Sequence, residues 1–188
     1  DDFKQYEPSY SKPMSFISSP IFEGDQKIGI LIFQIPIDGI NDVMTNHRSW
    51  RGVGLGVSGE VYLIGQDNLM RSDSRFFLED SERYFKRLEL HGVDPKNIDQ
   101  QKQENTTVGI MEVNTLGAKE AINGKTGFSI FPDYRGIPVL SAYAPIDVLG
   151  LKWAIFAEID EIEMFKVYQP LRDALRGSTI LFILSLFF

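Results

Sequence analysis

The sequence predicts an α+β fold: a five-stranded antiparallel sheet flanked by helices, preceded by the tail of a second unit of the same kind. Three observations predict it. Short apolar runs bounded by Gly, Asp and Asn recur between residues 61 and 158. A charged and polar stretch, residues 79–107, separates the first two runs from the last three, as a crossover of helix and loop would. Two stretches of the chain, residues 15–43 and 140–165, are alike.

The alike stretches read SFISSPIFEGDQKIGILIFQIPIDGINDV and LSAYAPIDVLGLKWAIFAEIDEIEMF. Each has an apolar strand ending in Pro-Ile (Pro20-Ile21 and Pro145-Ile146), then a turn at Glu23-Gly24-Asp25 or at residues 147–150. A second apolar strand follows, residues 28–35 or 151–157, and both close on Ile-Asp-x-Ile: Ile37-Asp38-Gly39-Ile40 and Ile159-Asp160-Glu161-Ile162. From Pro to Asp the first copy runs 18 residues (38 − 20) and the second 15 (160 − 145), which reads as a difference in hairpin loop length. Asp38 and Asp160 stand where an N-cap carboxylate accepts the orphan amide hydrogens of a following helix, and Glu163 suits a first turn. Each copy is therefore expected to be a hairpin followed by a capped helix.

The remaining elements follow in order. Residues 39–50 read as a short helix, and Gly52, Gly54, Gly56 and Gly59 as a flexible turn. Residues 61–64 and 69–72 read as a hairpin around Gln66-Asp67-Asn68. Residues 79–91 suit an amphipathic helix around Tyr84, Phe85, Leu88 and Leu90; residues 92–107 read as a polar surface loop. Residues 118–123 form a short helix that Gly124 ends. Strands at 127–132, 139–145 and 151–158 follow, the first two joined by the turn Asp133-Tyr134-Arg135-Gly136. From Asp160 a nearly continuous helix is expected, with Ile162, Phe165, Tyr168, Leu171 and Leu175 on one stripe and Pro170 and Gly177 as weak points. Residues 178–188, STILFILSLFF, are uncharged and lie behind Arg172 and Arg176. They read as the start of a transmembrane helix, which needs roughly 20 apolar residues.

Composition bounds the function. With 43% hydrophobic and 24% charged residues the chain is an ordinary globular mixture. Its net charge of −7 repels phosphate backbones and disfavours nucleic acid as a partner. Without cysteine there is no thiolate chemistry, disulfide or Cys-ligated zinc, and two histidines, His47 and His91, cannot make a His-rich metal centre. No Gly-x-Ser-x-Gly elbow, phosphate-binding Gly-x-x-x-x-Gly-Lys or His-Glu-x-x-His occurs. Gly52-x-Gly54-x-Gly56 precedes a strand rather than a helix, unlike a dinucleotide fingerprint, and one acidic turn at 66–68 is no calcium cage. No catalytic residue, cofactor or metal is expected.

Three segments, GVGLGVSGEVYLIGQDNLMRSDSRF (52–76), DYRGIPVLSAYAPI (133–146) and LKWAIFAEIDEIEMF (151–165), resemble Cache sensor domains, the extracytoplasmic PAS-like modules of bacterial receptors. The resemblance covers roughly residues 14–165. It implies an inner-membrane receptor whose sensor part is periplasmic or extracytoplasmic and detects a small molecule. It further implies a homodimer, two membrane helices, and a cytoplasmic chemotaxis, histidine kinase or nucleotide cyclase output. Many members carry tandem units. Residues 1–45 are then the C-terminal part of a membrane-distal unit and residues 46–165 the membrane-proximal unit. Residues 166–177 become a juxtamembrane helix, and 178–188 the start of a membrane helix. In tandem members the distal unit commonly holds the ligand, and most of it is missing from this sequence. The alternative is a ligand-free dimerisation and relay module.

The candidate ligand-binding residues are Arg71, Ser72, Asp73, Arg75, Asp133, Tyr134, Arg135 and Tyr143. They are polar or aromatic groups on strands and turns that are otherwise apolar, and a guanidinium is a bidentate fork for a carboxylate. The competing reading is structural: Arg71 or Arg75 pairs with Asp73 or Asp133, Asp133 and Gly136 make a hairpin turn, and the tyrosines belong to the core or its rim.

Overall fold

The computed structural model describes residues 1–9 and 12–166; the expected helix continuation, Pro170, Gly177 and the apolar run at 178–188 lie outside the described residues. Strands β1 (Lys4–Gln5), β2 (Pro13–Glu23) and β3 (Gln26–Pro36) form an antiparallel sheet in that order, and helix α1 (Ile37–Thr45) follows. Strand β4 (Glu60–Gly65) leads into four helices: α2 (Arg75–Glu79), α3 (Ser81–Leu90), α4 (Pro95–Glu104) and α5 (Leu116–Ile122). Strands β5 (Gly127–Pro132), β6 (Pro138–Val148) and β7 (Leu151–Asp160) complete a second antiparallel sheet of order β4-β7-β6-β5, and helix α6 (Glu161–Lys166) leaves it.

Both alike stretches are hairpins followed by a helix. Their turns are equally short, residues 24–25 and 149–150, so the three-residue difference is not in the loops as expected. It lies in the second strand, where a bulge at Ile21/Phe22 adds a residue to β3 and Pro36 rather than an aspartate precedes α1. Gly24 has φ +60°, and Leu149 and Gly150 have +54° and +85°, the left-handed backbone that two-residue hairpins need.

Three other expectations are corrected. The main sheet has four strands, not five: of residues 69–72 only Leu69 and Met70 make isolated bridges, to Glu112 and Ile64. The Ser72 hydroxyl accepts the Leu63 amide at 3.1 Å, where a ladder would have used a carbonyl. Residues 92–107 are not a loop but contain α4. Asp94 caps it through the Lys96 amide, Pro95 is its first residue, and Ile98 and Gln101, three apart, supply the buried face. Asp38 does not cap α1, because the N-cap position is Pro36. Asp160 immediately precedes α6, and its carboxylate accepts from Arg135 at 3.0 Å.

Alternation along the strands sends Tyr62, Ile64, Tyr143, Ala154 and Phe156 into one core with Phe77, Tyr84, Phe85 and Leu88 from α2 and α3. The opposite face carries Leu63 and Trp153, which pack with Phe3, Ile37 and Val108. Phe3 stacks on Trp153 with centroids 6.0 Å apart, fixing the base of the first hairpin to the back of the main sheet. Helix α5 lies close on the front because Gly117 has no side chain: a Cβ there would sit 2.7 Å from Phe131 and 2.9 Å from Tyr143. Among the described residues no helix is long and apolar enough to cross a membrane.

Gly117→Ala forces rings out of their places although alanine is the better helix former. The expected loss is about 1–3 kcal/mol, read from the midpoint of urea unfolding.

Candidate functional site

The eight sequence-predicted residues do not converge on one cavity. Arg71, 5% exposed, is held by the Asp2 carboxylate (2.9–3.0 Å), by Asp67 (2.9 Å) and by the Leu69 carbonyl (2.9 Å). Its partners are not the Asp73 or Asp133 of the structural reading, but its role is the same: it locks the N-terminus to the β4 turn. Asp73 accepts from Asn41, Thr106 and the Thr107 amide, each at 2.7 Å, and so ties α1 to the segment after α4. Arg75 donates to the carbonyls of Leu55, Gly56, Val57 and Gly59, which shapes the glycine-rich turn. Tyr143 donates its hydroxyl to Glu120 of α5.

Glu60 gathers several of the others. It is fully buried, and its carboxylate accepts from Ser74 Oγ (2.8 Å), the Arg75 amide (2.7 Å) and Tyr134 Oη (2.8 Å). Burial raises its pKa, while the charge of Arg135 and the Tyr134 and Ser74 hydroxyls oppose the rise. Across the ladder Glu60 pairs with Glu158, which pairs in turn with Ser141. Glu158, 3% exposed, faces the hydroxyls of Tyr62 and Ser141, yet none of these groups reaches hydrogen-bond geometry. Its pKa is pushed up to about 8, first by burial and then by the charge of Asp133.

Arg135 alone of the eight opens onto the cleft beside the exit helix. Its guanidinium lies 3.7 Å from the Phe76 ring centroid and is held by Asp133 (2.5 Å) and Asp160 (3.0 Å). The cleft, about 410 Å³, runs between α2–α3, the β5–β6 turn and the glycine-rich turn; its wall includes Ser58, Phe76, Arg83, Arg87, Arg135 and Asp160. Asp133 and Tyr134 border a different cleft, with Asn97, Met111 and Thr115.

The same wall holds the start of α6. Glu163 accepts the Val57 amide (2.9 Å), the Ser58 amide (2.7 Å) and the Ser58 hydroxyl. The Asp160 amide in turn donates to Ser58 Oγ at 3.1 Å. Burial would raise the Glu163 pKa, but these hydrogen bonds prevail and lower it. The exit helix is thus latched to the glycine-rich turn by a carboxylate sitting among backbone amides.

Sequence reasoning missed Glu60, Glu158, Glu163, Arg83 and Arg87 as site residues. For the first two a signal existed: an acid at an inward position of an apolar strand. The latch depends on contacts 105 residues apart, and the place of Arg83 and Arg87 on the cleft wall on how α3 packs.

No protein-family model and no curated protein matches the chain. Solved structures do. The periplasmic sensory domain of the Campylobacter jejuni chemoreceptor Tlp1 superposes with a TM-score of 0.50 at 16% identity, over 82% of this chain and 46% of that one. The extracellular domain named as that of histidine kinase mmHK1S-Z3 does so with a TM-score of 0.50 at 15% identity, over 91% and 52%. The chain has the fold of receptor sensory domains. It spans about half the length of these two chains. The likeness agrees with the Cache-type α+β fold implied by the residue resemblance. This sensory-domain fold differs from the expected one in its strand count, as described above.

Glu158 sets a pH dependence. Unfolded, it ionises near the ordinary 4.5; folded, it keeps its proton to about 8. Between these values the folded state binds more protons, so stability falls as pH rises, by about 1.4 kcal/mol per pH unit for this group. Glu60, Asp133 and Arg135 face the same interior and belong to the same balance. Glu158→Gln is expected to flatten the slope and gain stability relative to wild type near pH 8, measured by urea unfolding at about pH 5 and pH 8.

Proposed function

We propose that this chain is the extracytoplasmic sensor part of a bacterial inner-membrane receptor, which detects a small molecule and passes the signal through its C-terminal helix to a cytoplasmic output. One observation carries the reading beyond the fold: α6 does not simply leave the sheet but is held by Glu163 and Asp160 to the turn that walls the cleft. A change at that wall reaches the helix through three hydrogen-bonded groups rather than through a flexible linker. Of the candidate ligand residues, Arg135 is the one kept at the ligand.

In the same reading, residues 1–45 are the tail of a membrane-distal unit, 46–165 the proximal unit, 166–177 a juxtamembrane helix and 178–188 the beginning of a membrane helix. The first hairpin supports this division. Phe22, Ile28, Ile30, Ile32 and Phe33 are each more than half exposed and occupy both faces of its ladder. A sheet apolar on both faces is normally covered on both. The receptor is a homodimer in this reading, with Ile162 (74% exposed) and Phe165 (47%) on the contacting stripe.

A second reading, the ligand-free dimerisation and relay module, is favoured by the filled space between sheet and helices, where Tyr62, Phe131, Tyr143 and Phe156 pack with Tyr84 and Phe85. Thermal unfolding of the full 188-residue chain against a panel of amino acids, organic acids and sugars separates the two. The sensor reading expects one chemical class to raise Tm by several degrees, since a ligand at 100 times its Kd contributes about 2.7 kcal/mol. A panel without any shift supports the relay.

Cysteine substitutions in the membrane-embedded protein test the shared dimer. Crosslinking is expected at positions 162 and 165 and not at 163 or 166; equal reactivity at all four removes the helix pair.

A further inference from the structure

The cleft beside α6 has a charge arrangement that the fold itself does not use. Its acids are all engaged. Asp160 pairs with Arg135 at 3.0 Å, Glu79 with Arg75 at 3.5 Å, and Asp80 caps α3 through the Arg83 amide at 3.0 Å. Arg83 and Arg87, by contrast, are exposed, and among the described residues neither side chain is in an ion pair or hydrogen bond. They lie one turn apart on α3, so both guanidinium groups reach the same wall. Two like charges at this spacing destabilise a helix unless an anion sits between them. The same wall carries the apolar side chains of Phe76, Ile137 and Val57. A volume of about 410 Å³ is in the range of small-ligand sites. The space under the sheet, by contrast, is closed by aromatic rings.

We propose that this cleft is a binding site for a small organic carboxylate, its anionic group taken by Arg83 and Arg87 and its apolar body lying on Phe76 and Ile137. The proposal rests on the sensor reading for its consequence and deepens it: the occupied wall contains Ser58, whose amide and hydroxyl hold Glu163. Guanidinium forks match a carboxylate in two hydrogen bonds, which lysines at these positions would not offer. A carboxylate bound in the cleft whose wall Ser58 shares adds negative charge near Glu163 and disfavours its place among the amides. Ligand entry therefore loosens the latch and frees α6 to move.

The probes are benzoate and succinate, with benzamide as the neutral control and inorganic phosphate to separate carboxylate recognition from general anion binding. Titration of the full chain is followed by amide NMR. At least one carboxylate is expected to shift Val57, Ser58 and Ile137, with an affinity that falls at high salt. Benzamide is expected to leave these signals in place, and phosphate to bind at least tenfold more weakly. Arg83→Gln with Arg87→Gln, both at exposed positions that leave the core intact, should weaken binding at least tenfold. Loss of binding by neither substitution, equal binding of benzamide, phosphate binding as tight as carboxylate, or no binding of either carboxylate overturns the site. Hydrogen exchange at Val57 and Ser58 reads the latch separately. Faster exchange with probe bound supports the coupling; binding with unchanged exchange keeps the site and refutes its link to α6. Failure of the site leaves the sensor reading to the ligand panel, which surveys the whole molecule.

Discussion

Glu60 carries a carboxyl group into the interior of the sheet, and the placing of the surrounding elements follows from satisfying it. Three donors converge on it: the Ser74 hydroxyl and Arg75 amide at the start of α2, and the Tyr134 hydroxyl from the β5–β6 turn. Hydrogen bonds to a charged group contribute about 1.5–3 kcal/mol each, and a buried carboxylate without them is driven to its neutral form. The N-terminus of the helical crossover and the far hairpin are therefore pinned to the same point on β4. Arg75, positioned by this contact, then organises the carbonyls of the glycine-rich turn, and that turn in turn holds Glu163. One buried acid thus leads, through four links, to the helix that leaves the domain.

The polar network and the aromatic core divide the molecule's work. Under the sheet, Tyr62 stacks on Phe156 with centroids 5.0 Å apart, and Phe77, Tyr84 and Phe85 pack edge to face. Such packing is rigid and leaves no room for a guest. At the end of the sheet, where β7 becomes α6, polar groups replace rings and a cleft remains. Rigid elements meet a hydrogen-bonded latch there, the arrangement through which a small local change becomes a displacement of a helix. Glu158 adds strain to the same strand, two residues before Asp160, because its carboxyl is buried beside Glu60 without a hydrogen-bond partner.

Much of the architecture was legible from local chemistry. The residue 127–132 strand, the two hairpins with their glycine turns, and the helix after each were readable because alternation, turn residues and chain direction are local properties. Two errors came from local reading: polarity taken for loop, and an apolar run taken for a strand. Residues 95–104 are mostly polar, yet an Asp-Pro start and two buried positions suffice for a helix when a neighbouring layer covers them. Residues 69–72 look like a strand, and the Arg71 amide does donate to the Leu63 carbonyl at 2.7 Å, but the Leu63 amide turns to the Ser72 hydroxyl and the ladder stops.

By itself the sequence determined the fold class, the repeated hairpin-and-helix plan and the absence of a familiar catalytic motif, all of which rest on composition and short-range pattern. The tertiary structure decided which charges are free. Along the chain nothing separates Arg71, Asp73 and Arg75 from Arg83 and Arg87; all are polar groups near the crossover. Asp2 lies 69 residues from Arg71, and Ser58 lies 105 from Glu163. Contacts at such separations depend on strand order and register, which no local pattern encodes. They bury one set of charges in the framework and leave the other on the wall of the cleft.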